Sequence, residues 1–379
     1  MKQSAALRLV SVRFGVLASL LVAALSAAAR ADSVLQTSAG EMQITAVARG
    51  LDEPWAIAHL PDGQFLVTER DRGRLILFAA DGAKIGTIKG LPEISHGGQG
   101  GLLDVMIPRD FAADPAVYLT YSTRMVGGRG TALARGRLDA AAMRLHDVTV
   151  LFAAPSRLSG AKHFGARVIE AQDSTLYLAL GERGTGPDGL QAQDPALPEG
   201  KVIHLNRDGS PATTLDGALA GVFTLGHRNP QGLIQTAAGE VILVEHGPQG
   251  GDEVNVLAKG GNYGWPLVTK GEEYGGGVIG TAQMDGMIEP RHHWTPSIAP
   301  SGLMEYTGNL IPQWRGNLLT GSLKFDHIAR LDLARGYAEE RLSAPETGRV
   351  RDVAQAPDGS IWFLSVTDGA VYRLAPVEK

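Results

Sequence analysis

Two residues in this chain have the types needed for proton transfer: His163 in KHFG and Glu182 in GER. A neutral imidazole can take a proton from a substrate hydroxyl, and a carboxylate behind it can hold and polarise the ring. A histidine used only as a structural donor is the competing assignment. Four cations form a second group: Arg228 in GHRNP, Lys324 in SLK, and Arg349 and Arg351 in GRVR. Such a set suits a ligand with several carboxylates or phosphates, with Arg giving bidentate contacts. Ion pairing with Asp104, Asp252 or Asp352 is the alternative for any one of them. The stretch EHGPQGGDE (Glu245–Glu253) resembles a metal loop. Its glycines let backbone carbonyls turn inward, and Asp252 and Glu253 add hard oxygen donors suited to Ca²⁺. A tight Gly-rich turn would carry the same signature. His96 and the His292-His293 pair lack partners at metal-ligand spacing and are assigned to surface or turns. HGGQGG (His96–Gly101) is not a phosphate loop, since no G-x-x-x-x-G-K-[ST] and no following helix are present, and no H-E-x-x-H exists for zinc.

Repeating elements must position these residues. An apolar strand, a turn and a second apolar strand recur six times, from Pro54, Gly101, Ala166, Gln231, Ser301 and Arg351. A third strand follows each pair: GRLILF, TALARGRL, GKVIHL, DEVNVL, HIARLDL and AVYRL. Period-two alternation with tight turns predicts antiparallel meanders, hence an all-β chain. Six meanders of this size predict a six-bladed β-propeller of four-stranded antiparallel blades, with two stacked β-sandwiches as the alternative. Met42–Arg49 lies outside the six and is placed to pair with the last blade and close the ring. In such a ring, residues just before a first strand or just after a second share one rim near the axis. The histidine, the four cations and the glycine-rich loop all fall at those positions, so the topology gathers them at one mouth.

Composition narrows the function. The 379 residues include 49 Gly and no Cys, with 44% hydrophobic and 20% charged residues. This is a globular chain without disulfides, thiolate zinc sites, a Cys nucleophile or a C-x-x-C-H haem attachment. A net charge of −5 argues against nucleic acid as a partner. Lys2, Arg8 and Arg13 precede an apolar stretch that ends in Ala29-Arg30-Ala31, the pattern of a cleaved signal peptide over 1–31. The expected mature protein is then one domain over 32–379, periplasmic or secreted, with no membrane span.

Three functions remain open on these residues: a dehydrogenase, a calcium-dependent lactonase or esterase, and a non-catalytic propeller that binds glycans or proteins. A neutral lactone has no need of four cations. The stretches PWAIAHLPDGQFLVTER, GQGGLLDV, HFGAR, GKVIHLNRDG, GHRNPQG, EHGPQGGDEVN, GNYGWP, PSIAPSG and RVRDV, in this order, resemble the glucose/sorbosone dehydrogenase family. The likeness is greatest to the soluble aldose sugar dehydrogenases that use pyrroloquinoline quinone. The resemblance implies a six-bladed propeller that oxidises the C1 hydroxyl of an aldose sugar to the lactone, with hydride transfer to the quinone. It makes His163 the base. It assigns Gln99, Arg228, Asn229, Tyr274, Ser322, Leu323, Lys324, Arg349 and Arg351 to the tricarboxylate cofactor. It assigns Gly247 and Pro248 to a Ca²⁺ beside the quinone, and Glu253 and Tyr263 to a second, structural Ca²⁺. Electrons would leave to an external acceptor, a quinone or a separate cytochrome. The family usually has Asp in the G-D-[RQ] stretch where this chain has Glu182; the longer arm can still reach His163.

Overall fold

Turn chemistry shapes each repeat in the computed structural model, which describes residues 33–378. In the first blade the inner strand Pro54–His59 folds back at Asp62-Gly63 into Phe65–Glu69. The Asp62 carboxylate accepts from the Gln64 backbone at 3.0 Å while Gly63 takes φ +86°. Asp358 and Gly359 build the same turn in the sixth blade. In the third, Ser174 stands where the others have Gly and is held at φ +68°, with Asp173 accepting from Thr175. The side-chain cap sustains there a conformation that costs a non-glycine residue about 1 kcal/mol.

Six antiparallel sheets result. Their inner strands are Pro54–His59, Leu102–Met106, Gly165–Glu170, Pro230–Gln235, Pro300–Glu305 and Val350–Gln355. Each touches the next, and the sixth touches the first, so the sheets form a closed six-bladed propeller and not stacked sandwiches. Closure uses the N-terminal strand as expected: Gly40–Arg49 pairs antiparallel with Ala370–Pro376. A further strand, Ser33–Thr37, adds a fifth to that blade, which the repeat pattern did not foretell. Second strands such as Leu176–Leu180 and Ile361–Ser365 are buried throughout, because neighbouring blades cover both faces. Apolar clusters bridge adjacent blades; Phe65 and Phe78 of the first pack with Trp362 and Leu364 of the sixth. Each large side chain so buried stabilises the ring by about 1.5–3 kcal/mol.

The axis carries a polar tie. Arg167 of the third blade pairs with Asp104 of the second at 2.8 Å and Asp352 of the sixth at 3.0 Å. It also donates to the Gln231 carbonyl of the fourth blade at 3.1 Å. Asp352 in turn accepts from the Ile57 backbone of the first at 3.0 Å. Among the described residues there is no α-helix, and no helix is long and apolar enough to cross a membrane. The expected signal peptide lies outside the described residues.

Candidate active site

The strand ends named from the sequence converge on one mouth, which opens into a cavity of about 440 Å³. Gln99, Asn229, Leu323, Lys324, Arg349 and Arg351 line it. A second chamber of about 240 Å³ is lined by His163, Arg228, Pro248 and Tyr274, and Gln99 borders both spaces. A third, small space holds Gly247, Glu253 and Tyr263 together with Arg228 and Glu245. Ser322 lines none of these. Its buried hydroxyl donates to the Ile298 carbonyl at 2.8 Å and accepts from the Phe325 backbone at 2.9 Å, shaping the turn that presents Leu323 and Lys324.

His163 is buried and sits at φ +52°, a left-handed conformation, two residues before the inner strand Gly165–Glu170. The backbone holds this shape through a bond from His163 N to Gln99 Oε1 at 2.7 Å. Nδ1 meets Glu182 Oε1, so it carries the proton and Nε2 keeps its lone pair, with no hydrogen-bond partner among the described residues. Burial lowers the His163 pKa below its ordinary value; Glu182 opposes this, and Arg228 adds to it. Burial works to raise Glu182, yet the bonds from His163 and Thr185 outweigh it and hold the carboxyl below its usual range. The arrangement is a neutral base presented to a cavity and backed by an anion.

None of the four cations named from the sequence has a carboxylate within ion-pair distance among the described residues. Arg167 takes both Asp104 and Asp352, and Asp252 is occupied within its own loop. Arg351 is buried, donates to Gln231 Oε1 at 2.8 Å, and lies 4.2 Å from the Trp55 ring. Burial, then Arg167 and Arg70, push its pKa well below the usual arginine range. Arg228 donates to the Gly247 carbonyl at 2.7 Å, and Arg349 to the Leu323 carbonyl at 3.0 Å. The Nε atoms of Arg228 and Arg351 are buried without an acceptor. Unpaired buried guanidinium groups are costly, so the donor set fits a polyanion such as a tricarboxylate.

Within the glycine-rich loop one expectation is corrected. Asp252 is no open metal ligand, because its oxygens accept from Gly247 N at 2.8 Å, Ser297 Oγ at 2.5 Å and Ala299 N at 2.7 Å. Its role is to hold the turn, in which a Cβ on Gly247 would lie 2.2 Å from the Gly250 carbonyl. The Tyr263 hydroxyl donates to the Val256 carbonyl and accepts from Ala258 N, leaving its backbone carbonyl as the available donor. Glu253 lies buried near Glu245; burial first, and that second carboxylate next, push it up to about 8. The nearby Asn255 Oδ1 is buried and unpartnered. These are hard oxygen donors of the kind Ca²⁺ takes, though no group of three His, Asp or Glu side chains forms a metal cluster among the described residues.

Other cavity residues escaped notice in the sequence: Trp55, Arg70, Gln231 and His246. Arg70 follows a second strand, so the rim rule covers it once applied to the first blade, whereas Trp55 is the second residue of an inner strand and falls inside it. Burial pushes His246 down to about 3, with Arg228 adding to the effect. It is neutral, donating Nε2–H to the Pro300 carbonyl at 2.8 Å and accepting from Asn229 at 3.3 Å. His96 is exposed, as assigned, whereas His292 and His293 are not turn residues: they lie in the outer strand His292–Trp294 of the fourth blade, where His292 packs edge-on against Trp294.

Comparison with known proteins bears on this geometry. The sequence model of the Glucose / Sorbosone dehydrogenase family matches residues 51–373. Aldose sugar dehydrogenase YliI of Escherichia coli is 33% identical over 91% of this chain and 95% of its own. Quinoprotein glucose dehydrogenase B of Acinetobacter calcoaceticus is 27% identical over 84% of each chain. The PQQ-bound aldose sugar dehydrogenase of Streptomyces coelicolor superposes with a TM-score of 0.73 at 27% identity, covering 88% of this chain and 98% of that one.

Proposed function

This chain belongs to the glucose/sorbosone dehydrogenase family, and from that premise we propose that it is an exported quinoprotein that oxidises the C1 hydroxyl of aldose sugars to the lactone. The observation that carries the proposal is the pairing of a neutral, carboxylate-backed histidine with cations that have no internal counter-ion. When bound, pyrroloquinoline quinone would supply a hydride acceptor and Ca²⁺ a Lewis acid to activate it. Arg351, Arg349, Lys324 and Arg228 would hold the cofactor's carboxylates, with Gln99 and Asn229 adding amide contacts. The carbonyls of Gly247 and Pro248 would hold the metal. His163 Nε2 accepts the proton from the sugar's anomeric hydroxyl as the C1 hydride departs. Glu182 keeps Nδ1–H in place and stabilises the imidazolium that forms. The chamber shared by His163 and Tyr274 admits the sugar, and electrons then pass to an external quinone or cytochrome. Residues 1–31 direct export to the periplasm or beyond and are removed.

Reconstitution tests this directly. Cofactor titrated into the protein with and without Ca²⁺ yields a quinone absorbance band and sugar-dependent dye reduction. Absence of reduction with every aldose sinks the proposal, and acid release from a lactone without cofactor favours a lactonase.

A further inference from the structure

Glu182 raises a mechanical question. A glutamate has one more rotatable bond than an aspartate, so its carboxylate can swing away from the ring it must orient unless something fixes it. The structure shows what fixes it. Oε1 meets His163 Nδ1, and Oε2 accepts twice from Thr185, from its backbone N–H at 2.8 Å and its hydroxyl at 2.7 Å. The hydroxyl has one proton and spends it on Glu182; its lone pair accepts from Gln191 Nε2, which also donates to the Glu182 carbonyl at 3.0 Å. Gln191 is anchored in turn. Lys201 is fully buried and donates to the carbonyls of Gln191, Ala192 and Glu199 at 3.0, 3.0 and 2.7 Å. Space is set as well, since a Cβ on Gly189 would lie 2.0 Å from the Thr185 hydroxyl. The donors therefore run one way, from the loop through Thr185 to the carboxylate, and they leave Glu182 Oε1 only the Nδ1 proton to accept.

We propose that Thr185 is a positioning residue for the base: it locks the Glu182 carboxylate so that His163 holds its proton on Nδ1 and keeps Nε2 free. This rests on the reading of His163 as the base, but its test in the cofactor-free protein does not. The groups acting on His163 are Glu182 behind it, Arg228 and Lys162 on the cavity side, and neutral His246 across the mouth. Of these, Thr185 touches Glu182.

The experiment uses long-range ¹H–¹⁵N NMR on ¹⁵N-histidine-labelled full-length protein, with His163 assigned through His163→Ala. The wild type and Thr185→Ser show the Nδ1–H tautomer, whereas Thr185→Val shows a mixture. In reconstituted enzyme, Thr185→Val lowers kcat on the order of tenfold with the sugar KM unchanged, and Thr185→Ser restores it. In a Glu182→Gln background, Thr185→Val brings no further loss. A single Nδ1–H tautomer in Thr185→Val overturns the proposal, as does an equal loss with Glu182→Gln already present. Should Thr185→Val fail to fold, Gln191→Leu removes the donor to the hydroxyl and is read by the same spectrum. Failure of sugar oxidation with the tautomer effect intact would count against the dehydrogenase reading alone.

Discussion

Arg228 Nη1 donates to the Gly247 carbonyl at 2.7 Å, joining the cation that precedes the fourth blade's inner strand to the glycine-rich loop that follows its second. The cation and the glycine-rich loop are thereby one piece of structure. The guanidinium also lies 5.1 Å from the Trp265 ring and keeps a buried Nε without an acceptor. Replacing Arg228 by Leu removes a charged donor worth about 1.5–3 kcal/mol, so cofactor affinity falls roughly ten- to a hundredfold. Calorimetric titration of the cofactor-free protein measures it; an unchanged Kd means that this arginine does not serve the anion.

His163→Ala separates chemistry from binding. General-base catalysis contributes roughly 10²- to 10⁴-fold, and kcat falls by that order while the quinone still binds. Full turnover in the variant would remove His163 from the mechanism.

Burial places the His163 pKa below its ordinary 6.5, with Arg228 adding to the effect and Glu182 opposing it. The base form thus predominates at neutral pH, and kcat/KM rises with pH on the acid side. Glu182→Gln removes the opposing pull, so the acid limb moves lower while the plateau drops. A limb that moves to higher pH in that variant contradicts the assignment.

The axial tie bears on stability. Arg167→Ala leaves Asp104 and Asp352 buried without their partner, and such losses cost about 3–5 kcal/mol. Urea unfolding should show the midpoint falling with an unchanged m-value. A loss under about 1 kcal/mol would mean that the blades hold the ring without the tie.

Calcium should stabilise the folded protein through the oxygen donors around Glu253. At a hundredfold excess over its Kd, a ligand adds about 2.7 kcal/mol. A thermal scan with calcium against one with chelator reads this as a rise in Tm, and Glu253→Gln diminishes the rise. An equal Tm in both scans argues against the second metal site.

Much of the architecture was legible because local patterns specify it. Asp62-Gly63 and Asp358-Gly359 announce their turns, alternation announces the strands, and six recurrences announce the ring. The rim rule also brought His163, Gln99, Lys324 and Arg351 to one mouth. Side-chain use was less visible. Asp252 has a ligand's chemistry but is consumed by Ser297 and Ala299, far along the chain. Ser322 sits between mouth residues and faces its own turn. Thr185, in a loop without motif character, acquires meaning only from the carboxylate it holds.

The sequence by itself determined the blades, their number, the family and the supply of cations, since each depends on residue type and short-range spacing. The tertiary structure decided which charges cancel. Arg167 reaches Asp352 across the axis, and that contact leaves Arg351, the residue next to Asp352, without a counter-ion. Pairing of charges distant in sequence is set by ring closure, because only the closed circle brings the third and sixth blades within hydrogen-bond range.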